Sequence, residues 1–172
     1  MTGKSHLSVG IGLGITTFVL NYESTNDFLY SSLICTGCII GSLLPDIDSG
    51  KSMISQHFLF LPKLIKKIFG HRGFIHSPLF IFALYYLLSH STNLQVQQLR
   101  AGLAIGMISH LILDLFTKMG IPIFFPIWTK KISFSSIKTG SKAEPIVALI
   151  LFFIMAGGLI YLKHFFRKDI LC

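Results

Sequence analysis

Charge is scarce in this chain. Only 13% of its 172 residues are Asp, Glu, Lys or Arg, about half the share usual in a soluble protein. Hydrophobic residues make up 52%, and mean hydropathy is +0.68. That shortage argues against a soluble domain and points to a polytopic membrane protein, a single domain over 1–172. Acidic residues are scarcest, 7 against 15 Lys and Arg, which leaves a net charge of +8. In a membrane protein such an excess belongs to loops, where it reports topology and contact with anionic headgroups. A nucleic-acid partner is not expected, because no stripe of base-stacking aromatics accompanies the charge. Cysteine is limited to Cys35, Cys38 and Cys172. Cys35 and Cys38 form a C-x-x-C, but inside the apolar run 28–44. A redox pair needs an exposed thiolate and a zinc site needs further ligands nearby, so both read as small apolar residues of a helix. There is no disulfide framework, no clear repeat and no low-complexity linker. No small-x-small cleavage site follows the first apolar run, only Asn21-Tyr22-Glu23, so that run reads as a retained helix.

Five apolar segments are present, at about 7–22, 28–44, 74–89, 100–117 and 145–162. Each is near the ~17–25 residues that cross a bilayer. The expected fold is an all-α membrane bundle of about four to five transmembrane helices with interfacial loops. Ser77-Pro78 reads as a helix entry, since proline is tolerated in a first turn. Residues 60–69 have the mix of apolar side chains and Lys that suits an interfacial amphipathic helix, and 118–144 reads as an irregular interfacial loop. If all five segments cross, the N-terminus and the 45–73 and 118–144 loops share one side, which then holds 11 of the 15 basic residues. The positive-inside rule makes that side cytoplasmic.

Ionisable residues sit beside or inside these apolar segments: His6, Asp46 and Asp48 in LLPDID, His71 and His76 in GHRGFIHS, and His110 with Asp114 in SHLILD. Such groups are costly near lipid unless they bind something, and imidazoles with carboxylates suit a divalent metal. The expected topology brings all of them, with Glu144, to one face of the membrane. His110-x-x-x-Asp114 places two ligand-type side chains one turn apart on one helix face. Gly102 and Gly106 precede them at the same spacing and would let another helix approach closely. His6, Gly10 and Gly14 repeat the pattern in the first segment. Pro45 ends its helix, so Asp46 and Asp48 project from an extended or turning backbone, as metal ligands or as a simple Asp-rich turn. Arg72 between His71 and His76 suits bidentate recognition of an anion.

Two motifs fail. Gly50-Lys51-Ser52 resembles the end of a phosphate-binding loop, but Pro45 stands where its first glycine belongs. Gly10-x-Gly12-x-Gly14 lacks the third dinucleotide-binding glycine. His57, His90 and His164 have no carboxylate partner in sequence and read as interfacial.

These blocks together resemble the LexA-regulated, membrane-bound metal-dependent hydrolase family of bacteria, the YdjM type. The resemblance rests on Gly3-x-x-His6, LLPDID with Lys51-Ser52, GHRGFIHS, SHLILD with Thr117, GIPIFFP, and Gly140-x-x-x-Glu144, and covers about 3–150. Ile75 replaces the threonine of the family's usual HRG-x-THS. The resemblance implies an inner-membrane hydrolase using bound metal, with expression tied to DNA damage in some members. The family's polar blocks map onto His6, Asp46, Asp48, His71, Arg72, His76, His110, Asp114 and Glu144.

The resulting expectation is metal-assisted hydrolysis of a phosphoester, lipid headgroup or other anionic substrate at the cytoplasmic face, among membrane lipids. Ligands would be His6, Asp46, Asp48, His71, His76, His110 and Asp114, around one to three divalent ions, Zn²⁺ first and Mn²⁺ or Mg²⁺ as alternatives. Arg72 would bind a substrate oxyanion, and Glu144 or an unligated Asp would be the general base. The rival readings are a metal or proton carrier, and a structural bundle pinned by metal. Sequence leaves the oligomeric state open.

Overall fold

Thr2 and Asn26 bracket the first helix. The Thr2 hydroxyl accepts a hydrogen bond from Ser5 N at 3.4 Å, and Asn26 takes the left-handed conformation (φ 52°) that closes helix C-termini. Between them α1 runs Gly3–Thr25. Asp27 caps α2, Phe28–Leu43, accepting from Tyr30 N at 2.9 Å. Pro45 has no N–H to continue the helix, and the chain tightens into a 3₁₀ turn, Leu44–Asp48. A second 3₁₀ turn, Phe74–His76, leads into α3, Pro78–Ser89, with its proline in the first turn as expected. Asn93 caps α4, Leu94–Leu115, accepting from Gln95 N at 2.8 Å. Glu144 opens α5, Glu144–Asp169.

This computed structural model describes residues 1–48 and 73–169, without the side chains of Asp48 and of residues 166–169. The expected interfacial helix at 60–69 lies outside the described residues, as do His71 and Arg72. Among the described residues the regular structure is helical. The 118–144 segment is irregular, with one isolated bridge between Ile121 and Ile132. Phe134 N donates to Leu115 O at 2.8 Å, which folds this segment under the end of α4.

Glycine sets the tightest helix pair. A Cβ on Gly102 would lie 2.1 Å from Ile34 O, and one on Gly106 would lie 2.1 Å from Cys38 O. Only backbone against backbone fits there, so α4 packs on α2 through the expected small-residue groove. On the other side of α2, Gly10 and Gly14 of α1 meet Ser42 and Cys35. Cys38 is buried beside Val9, Leu13 and Leu113, a packing residue as the sequence implied.

Helices α1 and α5 run parallel. Thr2 meets Glu144 at their first turns, and Lys163 near the end of α5 donates to Leu20 O near the end of α1 at 2.7 Å. The alternation of the chain then brings the starts of α1 and α5 and the ends of α2 and α4 to one end of the bundle. Outward-facing Phe153 and Ile154 on α5, with Phe82 and Leu87 on α3, give an apolar flank suited to lipid.

Among the described residues, three stretches are long and apolar enough to span: Phe28–Ile47, Leu94–Leu115 and Glu144–Phe165. The 12 residues of α3 extend only ~18 Å against a hydrocarbon core of ~30 Å. Helix α1 has 23 residues, but its Ser, Thr and Gly residues and His6 dilute its apolarity. The architecture is the expected all-α membrane bundle, with three candidate spanning helices packed beside α1 and the shorter apolar α3.

Candidate metal centre

His110 and Asp114 form the base of the site. One turn apart on α4 and both fully buried, they place Nε2 3.7 Å from Oδ2. His110 Nδ1 lies 2.7 Å from the Ser42 carbonyl oxygen, which the close α2–α4 contact puts within reach. A carbonyl only accepts, so Nδ1 carries the proton and Nε2 is left as the lone-pair donor. That Nε2 is buried and makes no hydrogen bond.

Three other elements converge on it. From α1, the His6 ring stacks on His110, centroids 3.7 Å apart and planes 11° apart, with Nε2 3.4 Å from Asp114 Oδ1. From the second 3₁₀ turn, His76 Nε2 lies 3.8 Å from Asp114 Oδ2 and 3.9 Å from Asp46 Oδ1. From the turn after Pro45, Asp46 Oδ1 lies 3.9 Å from His110 Nε2. Two triads, His6–Asp46–His110 and His76–His110–Asp114, each hold one donor atom per residue within 4.8 Å of the others. The side chain of Asp46 is 14% exposed, while the imidazoles and Asp114 are at 0%.

This donor set fits a divalent cation. Among the described residues, the His76–Asp46, His76–Asp114, His110–Asp46 and His110–Asp114 pairs are 3.7–3.9 Å apart, beyond hydrogen-bonding reach. Ligands ~2.0–2.1 Å from a tetrahedral ion stand ~3.3 Å from each other, close to this spacing. A buried imidazole nitrogen without a hydrogen-bond partner and a fully buried carboxylate both call for a positive centre.

The sequence candidates divide cleanly. His6, Asp46, His76, His110 and Asp114 come together. Asp48 lies on the same 3₁₀ turn as Asp46, with its side chain outside the described residues; His71 and Arg72 are outside them entirely. Glu144, expected as a base, is engaged elsewhere. Its Oε1 accepts from Thr2 N (2.6 Å), Thr2 Oγ1 (2.7 Å) and Ser5 Oγ (2.5 Å), and its Oε2 from Gly140 N (2.6 Å). These bonds clamp the first turn of α1 to the start of α5. Two groups at the site have no side-chain signature in sequence: the Ser42 carbonyl, and the α-amino group of Met1, which pairs with Asp114 Oδ1. Among the described residues, every buried His, Asp and Glu lies at this end: His6, His76, His110, Asp114 and Glu144.

Fold and site together define a multi-pass helical membrane protein with a buried His/Asp cluster at one end. The chain belongs to the YdjM inner membrane protein family, whose pattern matches residues 1–167. It is 37% identical over 147 residues to YvsG of Bacillus subtilis (strain 168), covering 86% of this chain and 87% of that protein. It is 32% identical over 158 residues to the inner membrane protein YdjM of Escherichia coli (strain K12), covering 88% of this chain and 80% of that protein. YdjM of Shigella flexneri matches to the same extent. No solved structure matches significantly. The protein is thus a multi-pass inner-membrane protein.

Proposed function

We propose that this protein is a metal-dependent hydrolase acting on a phosphoester or lipid headgroup at the cytoplasmic surface of the inner membrane. The observation that carries the reading is the convergence of three imidazoles and two carboxylates from four elements around the unbonded Nε2 of His110. His6, Asp46, His76, His110 and Asp114 would hold the ion, and Asp48 and His71 are further ligand candidates. Nitrogen-rich ligation in a buried pocket favours Zn²⁺ over Mg²⁺, which prefers oxygen ligands and retained water. Such an ion, when bound, lowers the pKa of water toward ~7 and polarises the scissile group.

The protein's own groups take the other roles. The Ser42 carbonyl fixes the tautomer and tilt of His110. The Asp left unligated, Asp48 or Asp46 on the accessible edge of the cluster, would accept a proton from attacking water. Arg72 would hold a substrate oxyanion. Glu144 holds the first turn of α1 in place and leaves the base role to an Asp. If the five segments alternate across the membrane, 11 of the 15 basic residues share the site's side, which would favour an anionic substrate and, by the positive-inside rule, a cytoplasmic location. Induction by DNA damage is part of the proposal, carried by the family resemblance alone.

A second reading is a structural bundle pinned by metal, which the complete burial of four of the five side chains favours. The partial exposure of Asp46 favours the enzyme, which needs an open position. Metal content of the purified wild type, His110→Ala and Asp46→Ala, followed by a screen of phosphodiesters and phospholipids, separates them. Hydrolysis by the wild type that is lost with the metal in His110→Ala supports the enzyme. Metal bound without hydrolysis supports the pin. Equal metal content in all three removes the shared site.

A further inference from the structure

Helices α1 and α5 are tied near both ends and parted between the ties. Glu144 holds their first turns together, and Lys163 joins α1 near the far end. Between the ties, Ser5, Ser8 and Gly12 of α1 face a gap bordered by Ala148 of α5, and none of them is large enough to fill it. A groove of about 340 Å³ results, within the ~300–1,000 Å³ usual for ligand sites. Its deep end closes where Phe152 meets Gly12: a Cβ on Gly12 would lie 2.6 Å from Phe152 Cε2.

The groove is polar at one end only. Lys4, Ser5 and Ser8 stand at its mouth, beside the start of the Glu144–Phe165 span, and Val9, Leu149 and Phe152 wall it deeper down. Lys4 is exposed and forms no ion pair among the described residues. The Glu144 carboxylate is buried and committed to four donors, so the exposed charge at the mouth is positive. From Lys4 to Gly12, α1 rises ~12 Å, most of the ~15 Å of hydrocarbon in one leaflet. Leu149, Ile150 and Phe153 beside the groove are exposed, so it opens sideways toward lipid.

We infer that this groove is a binding site for an anionic phospholipid, with the phosphate at Lys4 and Ser8 and one acyl chain lying between α1 and α5. The gradient of polarity selects this partner. A soluble anion has no use for the apolar walls, and a zwitterionic lipid brings no net charge to balance Lys4. An anionic phosphate pairs with the ammonium and accepts from the Ser8 hydroxyl, while the chain covers the apolar surface of Leu149 and Phe152. The site is separate from the metal centre. At 100° per residue, Ser8 stands about 200° around α1 from His6. The inference therefore holds whether or not a metal is bound.

The test begins with wild-type protein in detergent, so folding of a variant is not at issue. The probe is phosphatidylglycerol carrying a photoactivatable diazirine on one acyl chain. After irradiation, labelled residues are mapped by peptide mass spectrometry. The expected label is concentrated on the α1 and α5 walls of the groove. Excess unlabelled phosphatidylglycerol should suppress it, and the same excess of phosphatidylcholine should not. Label spread evenly over the outer flank, including Phe82 and Leu87 of α3, marks annular lipid only and overturns the inference. A groove left unlabelled, as a second chain seated there would leave it, overturns it too, as does equal competition by the two lipids. Two variants at exposed positions sharpen the result. Lys4→Gln should weaken competition by phosphatidylglycerol about fivefold, the effect of one lysine at an anionic surface. Ser8→Trp fills the groove and should abolish the label. Unchanged competition in Lys4→Gln, or full labelling of Ser8→Trp, overturns the inference and leaves the metal centre untouched.

Discussion

The two ends of the bundle handle charge in opposite ways. At the far end Lys163 meets Glu23 at 2.7 Å, with side chains 17% and 60% exposed. At the near end Asp114 and three imidazoles are fully buried. Water screens the first pair, and an exposed pair of this kind contributes about 0–1 kcal/mol. Nothing screens the second group, and a buried charge deprived of its partner costs about 3–5 kcal/mol. The far pair is dispensable, whereas the near cluster persists only with a compensating charge. Residue type alone does not separate these cases, since both ends contain ionisable side chains. Depth does, and it is why the near end is assigned a function and the far end is not.

That contrast is open to attack from several directions. The largest effect is expected from Gly106→Leu. Its Cβ would fall 2.1 Å from Cys38 O, so α2 and α4 must separate and the Ser42 carbonyl must leave His110. Loss of about 1–3 kcal/mol or more is expected in detergent unfolding, together with loss of bound metal. Stripping metal from the wild type comes next. If the ion is present at 1,000 times its Kd, removal lowers stability by about 4 kcal/mol, read as a fall in Tm with added chelator. His110→Ala should show no such dependence on chelator. Glu144→Ala removes the acceptor for four hydrogen bonds, and about 2–3 kcal/mol should be lost. It should also weaken metal binding by freeing the first turn of α1. Glu144→Gln, which keeps part of the hydrogen bonding, should recover much of both, as a clamp would and a catalytic base would not. The smallest effect belongs to Lys163→Ala: under about 1 kcal/mol, with metal content unchanged. A large loss of metal in that variant would erase the distinction between the ends.

Much of this was legible in the sequence where local chemistry decides. Pro45 and Pro78 act within their own turns, so the end of α2 and the start of α3 fall where proline puts them. The spacings Gly102–Gly106 and His110–Asp114 declare one helix face, and that face is packed against α2 or turned into the site. Hydropathy served less well at polar helix ends. Helix α4 begins at Leu94, ahead of the apolar run at 100, because Asn93 caps it and Gln residues sustain a helix without apolar character. Within the cluster, the His and Asp side chains announced themselves by residue type. The Ser42 carbonyl did not, because every residue carries a carbonyl and only the fold selects which of them matters. Glu144 drew attention for its carboxylate, but four donors around it make it a tether.

The most direct test is X-ray absorption at the Zn K-edge of the purified, Zn²⁺-loaded protein, with His110→Ala as its pair. The expected wild-type spectrum has a first shell of nitrogen and oxygen at about 2.0–2.1 Å with outer-shell scattering from several imidazoles. That scattering should be lost or sharply reduced in His110→Ala. A wild-type spectrum without imidazole scattering, or one that His110→Ala leaves unchanged, would contradict a metal centre built from His6, His76, His110, Asp46 and Asp114.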